Sequence, residues 1–407
     1  MLRALTNGSI VQPALLSRMN ERQVLRTIQA RGPLSRAEVA RHLGMSAPTA
    51  SKTVEALLRA GLLEEGDATD TARGRPARRL RLATETAQVL GLAIDADLCR
   101  MVPAGLDGRL CEERAVSFRT PDAYEELLDE VTAAAGRLAD RDGVSTLGLG
   151  ISLPGLIDYR MQRGALSPNV SITNGRTPGL DLSRRLGIEC VLVQEAHALC
   201  LAERCYGAAR ECDDFAVLDV TTGVGLGVMS GGQLLTGHSG LAGEIGHVTV
   251  QPEGRLCGCG NRGCLETVAC DRALCRLVAR KLQRPVDVEA LVELLTSGAP
   301  DFTEELSVAR RYLSIGLSMV INLFNPSTLF VHSRVFSALP ELFEGIVEET
   351  RERALGPNFA DCRMVLASGS KRQGAVAAVM EHLTSARLPM RSADLYRVAS
   401  ESHAEPV

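Results

Sequence analysis

A group of cysteines with one histidine near the middle of the chain constrains the fold more than any other feature. Four residues fall within 18 positions of a glycine-rich segment: His247, Cys257, Cys259 and Cys264. Three thiolates and one imidazole complete a tetrahedral shell for Zn²⁺, and a shell of four protein ligands is typical of structural sites. The sequence therefore predicts one structural zinc ion per chain, held by a tightly turned loop.

Two other interpretations compete with zinc. A chance grouping is conceivable in a chain with 12 cysteines, and a disulfide framework requires thiols farther apart than Cys257 and Cys259. The first residues lack the uninterrupted apolar stretch of a signal peptide, and no apolar run has membrane-spanning length. We therefore expect a cytoplasmic protein with no membrane insertion, in which the remaining cysteines are small core residues.

Charge is distributed unevenly along the chain. Residues 1–85 contain 14 Lys/Arg against 8 Asp/Glu, which gives this segment +6, whereas the net charge of the 407 residues is −4. The remaining 322 residues therefore carry −10. A basic head on an acidic body indicates that only the head meets a polyanion.

The head, residues 1–82, has the pattern of a winged helix-turn-helix. A first amphipathic helix ends near Gly32, and the second begins with a capping box of Ser35 and Glu38 and stops at Gly44. Ser46 can then cap a third helix that reaches Ala60. Two short helices joined by a tight turn are typical of DNA-binding proteins.

The third helix is predicted to enter the major groove of double-stranded DNA. Its apolar side is formed by Ala50, Val54, Leu57 and Leu58 at helical spacing. The candidate DNA-contacting residues on and before its outer side are Ser46, Pro48, Thr49, Lys52 and Arg59. A solvated helix face is the alternative for such a pattern.

The segment after this helix carries five arginines within residues 73–81. Two short strands around a polar loop would form a wing. Its tip contains a slim cationic run suited to a narrow minor groove: Arg73, Gly74 and Arg75. A flexible basic linker is the alternative, and the helix-turn-helix directly upstream favours DNA binding.

The body, residues 83–407, alternates strands and helices and predicts a mixed α/β fold. Apolar strands are expected within the segments 87–110, 145–153, 189–194, 214–220, 326–334 and 364–368, and a helix directly after Gln194. A last helix is expected from about Arg372.

Several motifs of the body occur together: Leu153-Pro154-Gly155, Ser167-Pro168-Asn169, the glycines at 223, 225 and 227, residues 242–247, and the cysteine block 257–266. In these motifs the chain resembles the ROK family of repressors, open reading frames and sugar kinases, and with its winged head it resembles the NagC/Mlc-type and xylose-type repressors within that family. The resemblance spans the chain. It implies two actin-like/hexokinase-like lobes with a sugar site between them: a first lobe of residues 83–195, joined by the last helix (372–398), and a second lobe of residues 196–371 that holds the zinc loop.

The kinases of this family need features that this chain lacks. Their first phosphate turn reads Asp-x-Gly-Gly-Thr, whereas residues 95–99 read Asp-Ala-Asp-Leu-Cys, and Asp97 would repel phosphate. Their Asn-Asp pair corresponds to Gln194 and Glu195. The side chain of Glu195 is one methylene longer than aspartate and displaces the carboxylate by about 1 Å, which is enough to slow a reaction on the order of 100-fold. We therefore expect no catalytic residue and a vestigial base at Glu195.

The resemblance also implies sugar-contacting positions. Glu244 and Glu266 match residues that bind sugar hydroxyls, and His247 could use one ring nitrogen for zinc and the other for sugar. Asn169, Gln194 and Glu195 are further candidates, although Glu266 could instead cap a helix and Gln194 could act indirectly.

The resulting hypothesis is a sugar-responsive transcriptional regulator, a repressor of carbohydrate-metabolism genes. It is expected to bind a palindromic operator as a homodimer or a dimer of dimers. The alternatives are an active ATP-dependent sugar kinase and a regulator that senses zinc or redox state through the cysteine cluster.

Overall fold

The computed structural model describes residues 13–66, 78–298 and 300–384, which form a head and two lobes. The head contains three helices and one antiparallel strand pair: α1 (Pro13–Arg31), α2 (Arg36–Leu43), α3 (Ala47–Arg59), β1 (Leu63–Gly66) and β2 (Arg79–Leu82). The chain then builds two lobes, each on a five-stranded sheet. Within the described ranges, no helix is both long enough and apolar enough to cross a membrane.

Local side-chain contacts start and stop the head helices as the sequence predicts. The backbone N–H of Ser35 donates to Glu38 at 2.8 Å, and the Ser35 hydroxyl accepts from the Glu38 N–H, which completes the capping box. Gly44 ends α2 with φ of 61°, and Ser46 accepts from the N–H of Thr49 at the start of α3. The predicted helix-turn-helix is thereby confirmed.

The buried side of α3 differs from the prediction in two positions. Ala50, Val54 and Leu57 are buried, as expected, but Leu58 is only half-buried. Thr53 takes its place in the core with 5% exposure. A pattern of apolar residues does not include threonine, because its hydroxyl group makes it a polar residue. Its methyl group can nevertheless pack in a core like an apolar side chain.

The first lobe is a sheet with two helices on one face. Its elements are β3 (Ala87–Ile94), β4 (Leu98–Ala104), β5 (Val116–Arg119), α4 (Tyr124–Ala139), β6 (Ser145–Leu153), the hairpin β7 (Leu156–Asp158) and β8 (Arg163–Leu166), α5 (Pro178–Leu186) and β9 (Glu189–Gln194). The strand order is β5-β4-β3-β6-β9, with β3, β6 and β9 parallel. Helices α4 and α5 cover one face of this sheet in a single apolar core.

Helix α6 (Glu195–Cys205) leads from β9 into the second lobe. The elements of that lobe are β10 (Phe215–Asp219), β11 (Gly225–Ser230), β12 (Gln233–Leu234), α7 (Asp271–Leu282), α8 (Val288–Ser297), α9 (Thr303–Phe324), β13 (Thr328–His332), α10 (Arg334–Ala338), α11 (Pro340–Arg351), α12 (Gly356–Asp361) and β14 (Arg363–Leu366). The strand order is β12-β11-β10-β13-β14. Side chains alternate along β10: Ala216 and Leu218 face the core of α7–α11, whereas Phe215 and Val217 face α6.

Two helices lie between the sheets. Helix α13 (Lys371–Thr384) packs on β3, β6 and β9, while α6 packs on β10 and β11, and the two helices pack against each other. Glycine permits these contacts: a Cβ at Gly150 would lie 1.8 Å from the carbonyl oxygen of Ala375, and one at Gly374 would lie 1.9 Å from that of Ala198. Helix α13 is therefore fixed between the sheet and α6.

The head and the first lobe share one hydrophobic core. Val24 and Ile28 of α1 belong to the same buried cluster as Val376, Val379 and Met380 of α13. Strands β2 and β3 contribute to it as well. A displacement of α13 would consequently reach the head through direct packing.

Candidate functional site

The four predicted metal ligands meet at one point. Their ligand atoms all lie within 4.8 Å of one another, with Cys259 and Cys264 sulfurs 3.7 Å apart and the Cys257 sulfur 3.6 Å from His247 Nδ1. A regular tetrahedron with ordinary zinc bond lengths has S···S and S···N edges of about 3.8 and 3.6 Å. The donor set and its spacing therefore fit a tetrahedral metal ion, and the four residues form a metal-ligand cluster, hereafter the thiol cluster.

The backbone of the loop explains the glycines around these ligands. Gly260 and Gly263 have φ of 95° and 64°, a region that side chains rarely occupy. A Cβ at Gly263 would also lie 1.4 Å from the carbonyl oxygen of Gln251. The N–H of Cys257 donates to Asn261 at 2.7 Å and closes the turn between two of the thiols.

Glu244 and Glu266 flank the thiol cluster. His247 points Nδ1 at Cys257 and Nε2 at Glu244, whose nearer oxygen is 3.6 Å away. Glu266 accepts from the N–H of Val224 at 3.2 Å. Burial and the neighbouring charge of Glu266 raise the pKa of Glu244 to about 7. The imidazole thus turns one ring nitrogen toward the Cys257 thiol and the other toward Glu244, whereas Glu266 lies 3.8 Å from the Cys257 sulfur.

The predicted sugar contact Asn169 comes from the first lobe but is bonded to the second. Its side-chain oxygen accepts from Arg272 of α7 at 3.0 Å. The preceding Pro168 lies against the thiol cluster loop, where a Cβ at Gly258 would be 3.2 Å away. The Asn169 segment and the loop therefore border the same interlobe region, and Arg272 is a contact that the sequence did not indicate.

Gln194 caps a helix. Its side-chain oxygen accepts from the N–H groups of Ala196 and His197 at 2.8 and 3.1 Å. The hydroxyl of Tyr159 accepts from the N–H of Gln194 at 3.0 Å and lies 2.7 Å from His197 Nδ1. Burial lowers the pKa of His197 to about 4, so its ring is neutral, and its Nδ1 is joined to the tyrosine hydroxyl by one hydrogen bond. This network fixes the end of β9 and the first turn of α6.

Glu195 is engaged by a lysine from the other end of the chain. The Lys371 ammonium contacts the Glu195 carboxylate and lies 2.9 Å from Asp219. The lysine and glutamate side chains are each 13% exposed, and that of Asp219 is 5% exposed. Sequence reasoning missed Lys371 and Asp219, which are separated by 152 positions and carry no motif.

Electrostatics explains the charge states in this group, hereafter the carboxylate cluster of Asp95, Glu195 and Asp219. Burial raises the pKa of Glu195 to about 7, and the negative charges of Asp219 and Asp95 add to that effect. Burial opposes ionisation of Asp219 too, but Lys371 and His332 outweigh it and lower the pKa of Asp219. The firm ion pair of the group is therefore Lys371 with Asp219.

Two segments meet at this cluster: residues 95–99, at the position of the family's first phosphate turn, and the glycine-rich residues 221–227, which match its second phosphate turn in part. Asp95, which follows β3, accepts a long hydrogen bond from the Thr222 hydroxyl at 3.4 Å. The second segment is only partly a turn, because Gly225 to Gly227 already belong to β11 and pair with β10. From sequence alone, a glycine-rich run suggests a loop. Here the glycines lie in a strand and allow α6 to pack closely on it, because Gly227 lies against the backbone of Ala196.

The candidate DNA contacts lie on the head. Ser46, Pro48, Lys52 and Arg59 are exposed, and Thr49 is half-buried beneath the Ser46 cap. The predicted wing strands are present as β1 and β2, but Arg73, Gly74 and Arg75 lie outside the described residues.

The other wing arginines are ion-paired within the head or with its junction to the body. Arg78 bonds Glu65 at 2.6 Å, Arg79 bonds Glu38 at 2.8 Å, and Arg81 bonds Glu85 at 2.6 Å. These side chains therefore help to hold the wing on the helices.

Comparisons with known proteins agree with this architecture. Residues 16–66 match a helix-turn-helix domain, and residues 90–382 match the ROK family. The xylose repressor of Bacillus spizizenii is 25% identical over 380 residues, which cover 92% of this chain and 98% of the repressor. The DNA-binding transcriptional dual regulator NagC of Escherichia coli K12 is 27% identical over 353 residues, which cover 84% and 86% of the two chains.

A solved structure shares the fold. A ROK family transcriptional regulator, a homologue of the E. coli MLC protein, superposes with a TM-score of 0.78 at 24% identity, over 92% of this chain and 98% of that one. The match to the family model covers far more than half of the sequence. The protein therefore belongs to the ROK family, with a helix-turn-helix head joined to the actin-like/hexokinase-like body of that family.

Proposed function

We propose that this protein is a cytoplasmic transcriptional repressor of carbohydrate-metabolism genes whose affinity for operator DNA is controlled by a sugar. The observation that carries the proposal is the direct packing of the helix-turn-helix head on α13, the helix whose first residue lies in the interlobe region. The relatives named xylose repressor and NagC support the same function.

The proposed effector is a sugar or sugar derivative bound between the lobes. Its hydroxyl groups would be recognised by the carboxylates of Glu244 and Glu266, by His247 Nε2 and by Asn169. Glu195 and Gln194 would contribute indirectly, because Glu195 is bonded by Lys371 and Gln194 caps α6. Buried polar groups that match a hydroxyl pattern give selectivity, because a wrong sugar leaves them unpaired.

The proposed metal is zinc, bound by His247, Cys257, Cys259 and Cys264. All four positions of the shell are protein ligands, so the ion would supply structure and no chemistry. It would hold the loop against Pro168 and keep the His247 ring facing Glu244, and in this way it would shape one wall of the sugar site.

Regulation requires only that the sugar prefer one arrangement of the lobes. Asn169 and Arg272 already join the lobes across the proposed site. A change in this contact on sugar binding would move the two lobes relative to each other, and α6 and α13, which pack between the sheets, would transmit the movement to the head. In a homodimer or dimer of dimers, the spacing of two heads over a palindromic operator would change accordingly.

DNA binding is tested by fluorescence anisotropy with DNA fragments selected by the protein from a random library. Lys52→Ala is expected to weaken binding and reduce the slope of log K against log salt by about one unit, as loss of one phosphate contact does. The control is Arg109→Ala, whose arginine is 91% exposed on the body. Equal losses in both variants, or none in either, would contradict the proposed DNA face.

The effector is tested by adding a panel of pentoses, hexoses and amino sugars to the same complex. One sugar should alter operator affinity in the wild type, and Glu266→Gln should shift the required concentration upward. Lack of response to every carbohydrate would reject the sugar half of the proposal. The control Glu352→Gln alters an exposed carboxylate at the end of α11, far along the chain from the site.

An active sugar kinase is the second candidate, because Glu195 keeps a carboxylate at the position of the family's base. The contact with Lys371 argues against it. ATP-dependent phosphorylation of the same sugars decides the matter: turnover that disappears in Glu195→Ala would establish the kinase and displace the regulator as the main function.

A further inference from the structure

The Lys371 ammonium has no hydrogen-bonding capacity left for a ligand. Its three protons face three acceptors: the Glu195 carboxylate, Asp219 Oδ2 at 2.9 Å, and the Thr221 hydroxyl at 3.3 Å. The remaining oxygen of Asp219 accepts from His332 Nδ1 at 2.9 Å. The lysine is therefore saturated by protein groups.

The side chains around Lys371 are of the types that bind divalent cations. Two carboxylates, those of Glu195 and Asp219, contact the ammonium directly, and Asp95 adds a third negative charge nearby. The hydroxyl of Thr221 contacts the lysine, and that of Thr222 bonds Asp95. Hard cations such as Mg²⁺ and Mn²⁺ prefer oxygen ligands of this kind. The position that such an ion would take is filled by the lysine nitrogen.

Lys371 is held firmly in this position. The turn before it is anchored on α6, because the N–H groups of Ser368 and Gly369 both donate to the buried carboxylate of Glu203 at 2.7 Å. One turn later, Gly374 lies in contact with the backbone of Ala198. The side chain thus extends from a fixed helix end, and it cannot withdraw without moving α13.

We propose that Lys371 is the specificity-determining residue of the interlobe region: its ammonium replaces the divalent cation that a nucleotide would bring. The region therefore binds its ligand without metal or nucleotide. A phosphate chain would meet carboxylates and find no free donor on the lysine, and a metal ion would find its ligands occupied. The proposal deepens the regulator function and rests on it, since it assigns to the effector an uncharged carbohydrate that binds alone.

The test is the creation of a cation site by removal of the lysine. In Lys371→Ala, room and uncompensated carboxylates remain, so the full-length, zinc-loaded variant should bind one additional Mn²⁺ per chain, measured by the loss of the free Mn²⁺ signal in electron paramagnetic resonance. The wild type and Lys371→Arg should bind none at the same millimolar concentration. Adding Glu195→Gln to the alanine variant should weaken Mn²⁺ binding by at least about tenfold, as loss of a ligand or its support does.

The outcomes separate cleanly. Equal Mn²⁺ binding by the wild type and Lys371→Ala, or retention of full affinity in the double variant, would overturn the proposal. If Lys371→Ala or Lys371→Ser is unfolded without metal, millimolar Mn²⁺ should restore its circular dichroism, and failure to restore it would count equally against the proposal. The function itself is tested apart, because operator release by sugar is measured on the wild type and does not depend on the Mn²⁺ result.

Discussion

The thiol cluster and the carboxylate cluster each bring three acidic side chains close together, but they differ in the origin of the positive charge that would balance them. The thiol cluster has the spacing of a shell around a metal ion that must come from solution. The carboxylate cluster carries its cation within the chain, as Lys371. Burying like charges is costly without a partner. With the proposed zinc, one part of the fold would depend on metal supply, whereas the other depends on the docking of α13.

This difference predicts different responses to the loss of one member. Removal of a thiol should release an external ion and loosen a loop, whereas removal of the lysine should leave charge trapped beside a helix that holds the lobes and the head together. The following four substitutions are ordered by the size of the effect that we expect.

The largest effect is expected from Cys264→Ser, because Cys264 is completely buried and structural zinc contributes binding free energy of about 10–16 kcal/mol in small zinc domains. The variant should lose its equivalent of zinc, measured by mass spectrometry of the metal, and its midpoint of thermal unfolding should fall sharply. The matched control is Cys275→Ser, a buried thiol outside the cluster. Stoichiometric zinc in Cys264→Ser would refute the assigned ligand set.

The second-largest loss of stability is expected from Lys371→Met, which keeps a side chain of similar volume and removes its positive charge. Breaking a buried ion pair by removing one partner costs about 3–5 kcal/mol, since the other charge stays uncompensated. Urea unfolding should show this loss, and the double variant with Glu195→Gln should regain part of it. A double variant as unstable as the single one would mean that the carboxylate of Glu195 carries no unfavourable charge.

A smaller effect concerns pH. Because burial raises the folded-state pKa of Glu195 to about 7 from 4.5, the stabilisation from its protonation is complete below pH 4.5 and is lost as pH rises through about 7. Glu195→Gln cannot ionise. The unfolding free energy of the wild type minus that of the variant should therefore fall by on the order of 1–3 kcal/mol between pH 4.5 and about 8. If the difference in unfolding free energy does not change with pH, Glu195 does not titrate in this range.

The smallest effect is expected from Thr221→Val, which removes the third acceptor of Lys371 and a hydroxyl that donates to Asp219 at 2.9 Å. Because the two carboxylates remain, the loss should be about 1 kcal/mol, the value of one hydrogen bond. Chemical unfolding measures it, with Thr296→Val on the exposed side of α8 as control. A loss as large as that in Lys371→Met would show that the hydroxyl, rather than the carboxylates, holds the lysine.

The thiol cluster was open to prediction because its information is local. His247 and the three cysteines lie within one loop, and the residue types specify the metal chemistry. The capping box of Ser35 and Glu38 and the predicted strands were accessible for the same reason, since each depends on neighbours in sequence.

Other candidates depended on contacts that the chain makes far away. Gln194 was a candidate sugar ligand, but the oxygen of its side-chain amide caps α6. Asn169 is bonded by Arg272, 103 positions later. Nothing in the sequence near either residue indicates these partners, because long-range pairing is decided by how the lobes pack and not by local spacing.

By itself, the sequence determined the helix-turn-helix and the candidate metal ligands, because periodicity, caps and ligand spacing act over a few residues, and its resemblance to the ROK family implied the two-lobed body. Only the tertiary structure decided how charge is balanced between the lobes. Lys371 meets Glu195 and Asp219 because glycine contacts bring α13 against β6 and α6. Electrostatic energy depends on distance in space, so a lysine near the end of the chain can neutralise carboxylates that no sequence motif connects to it.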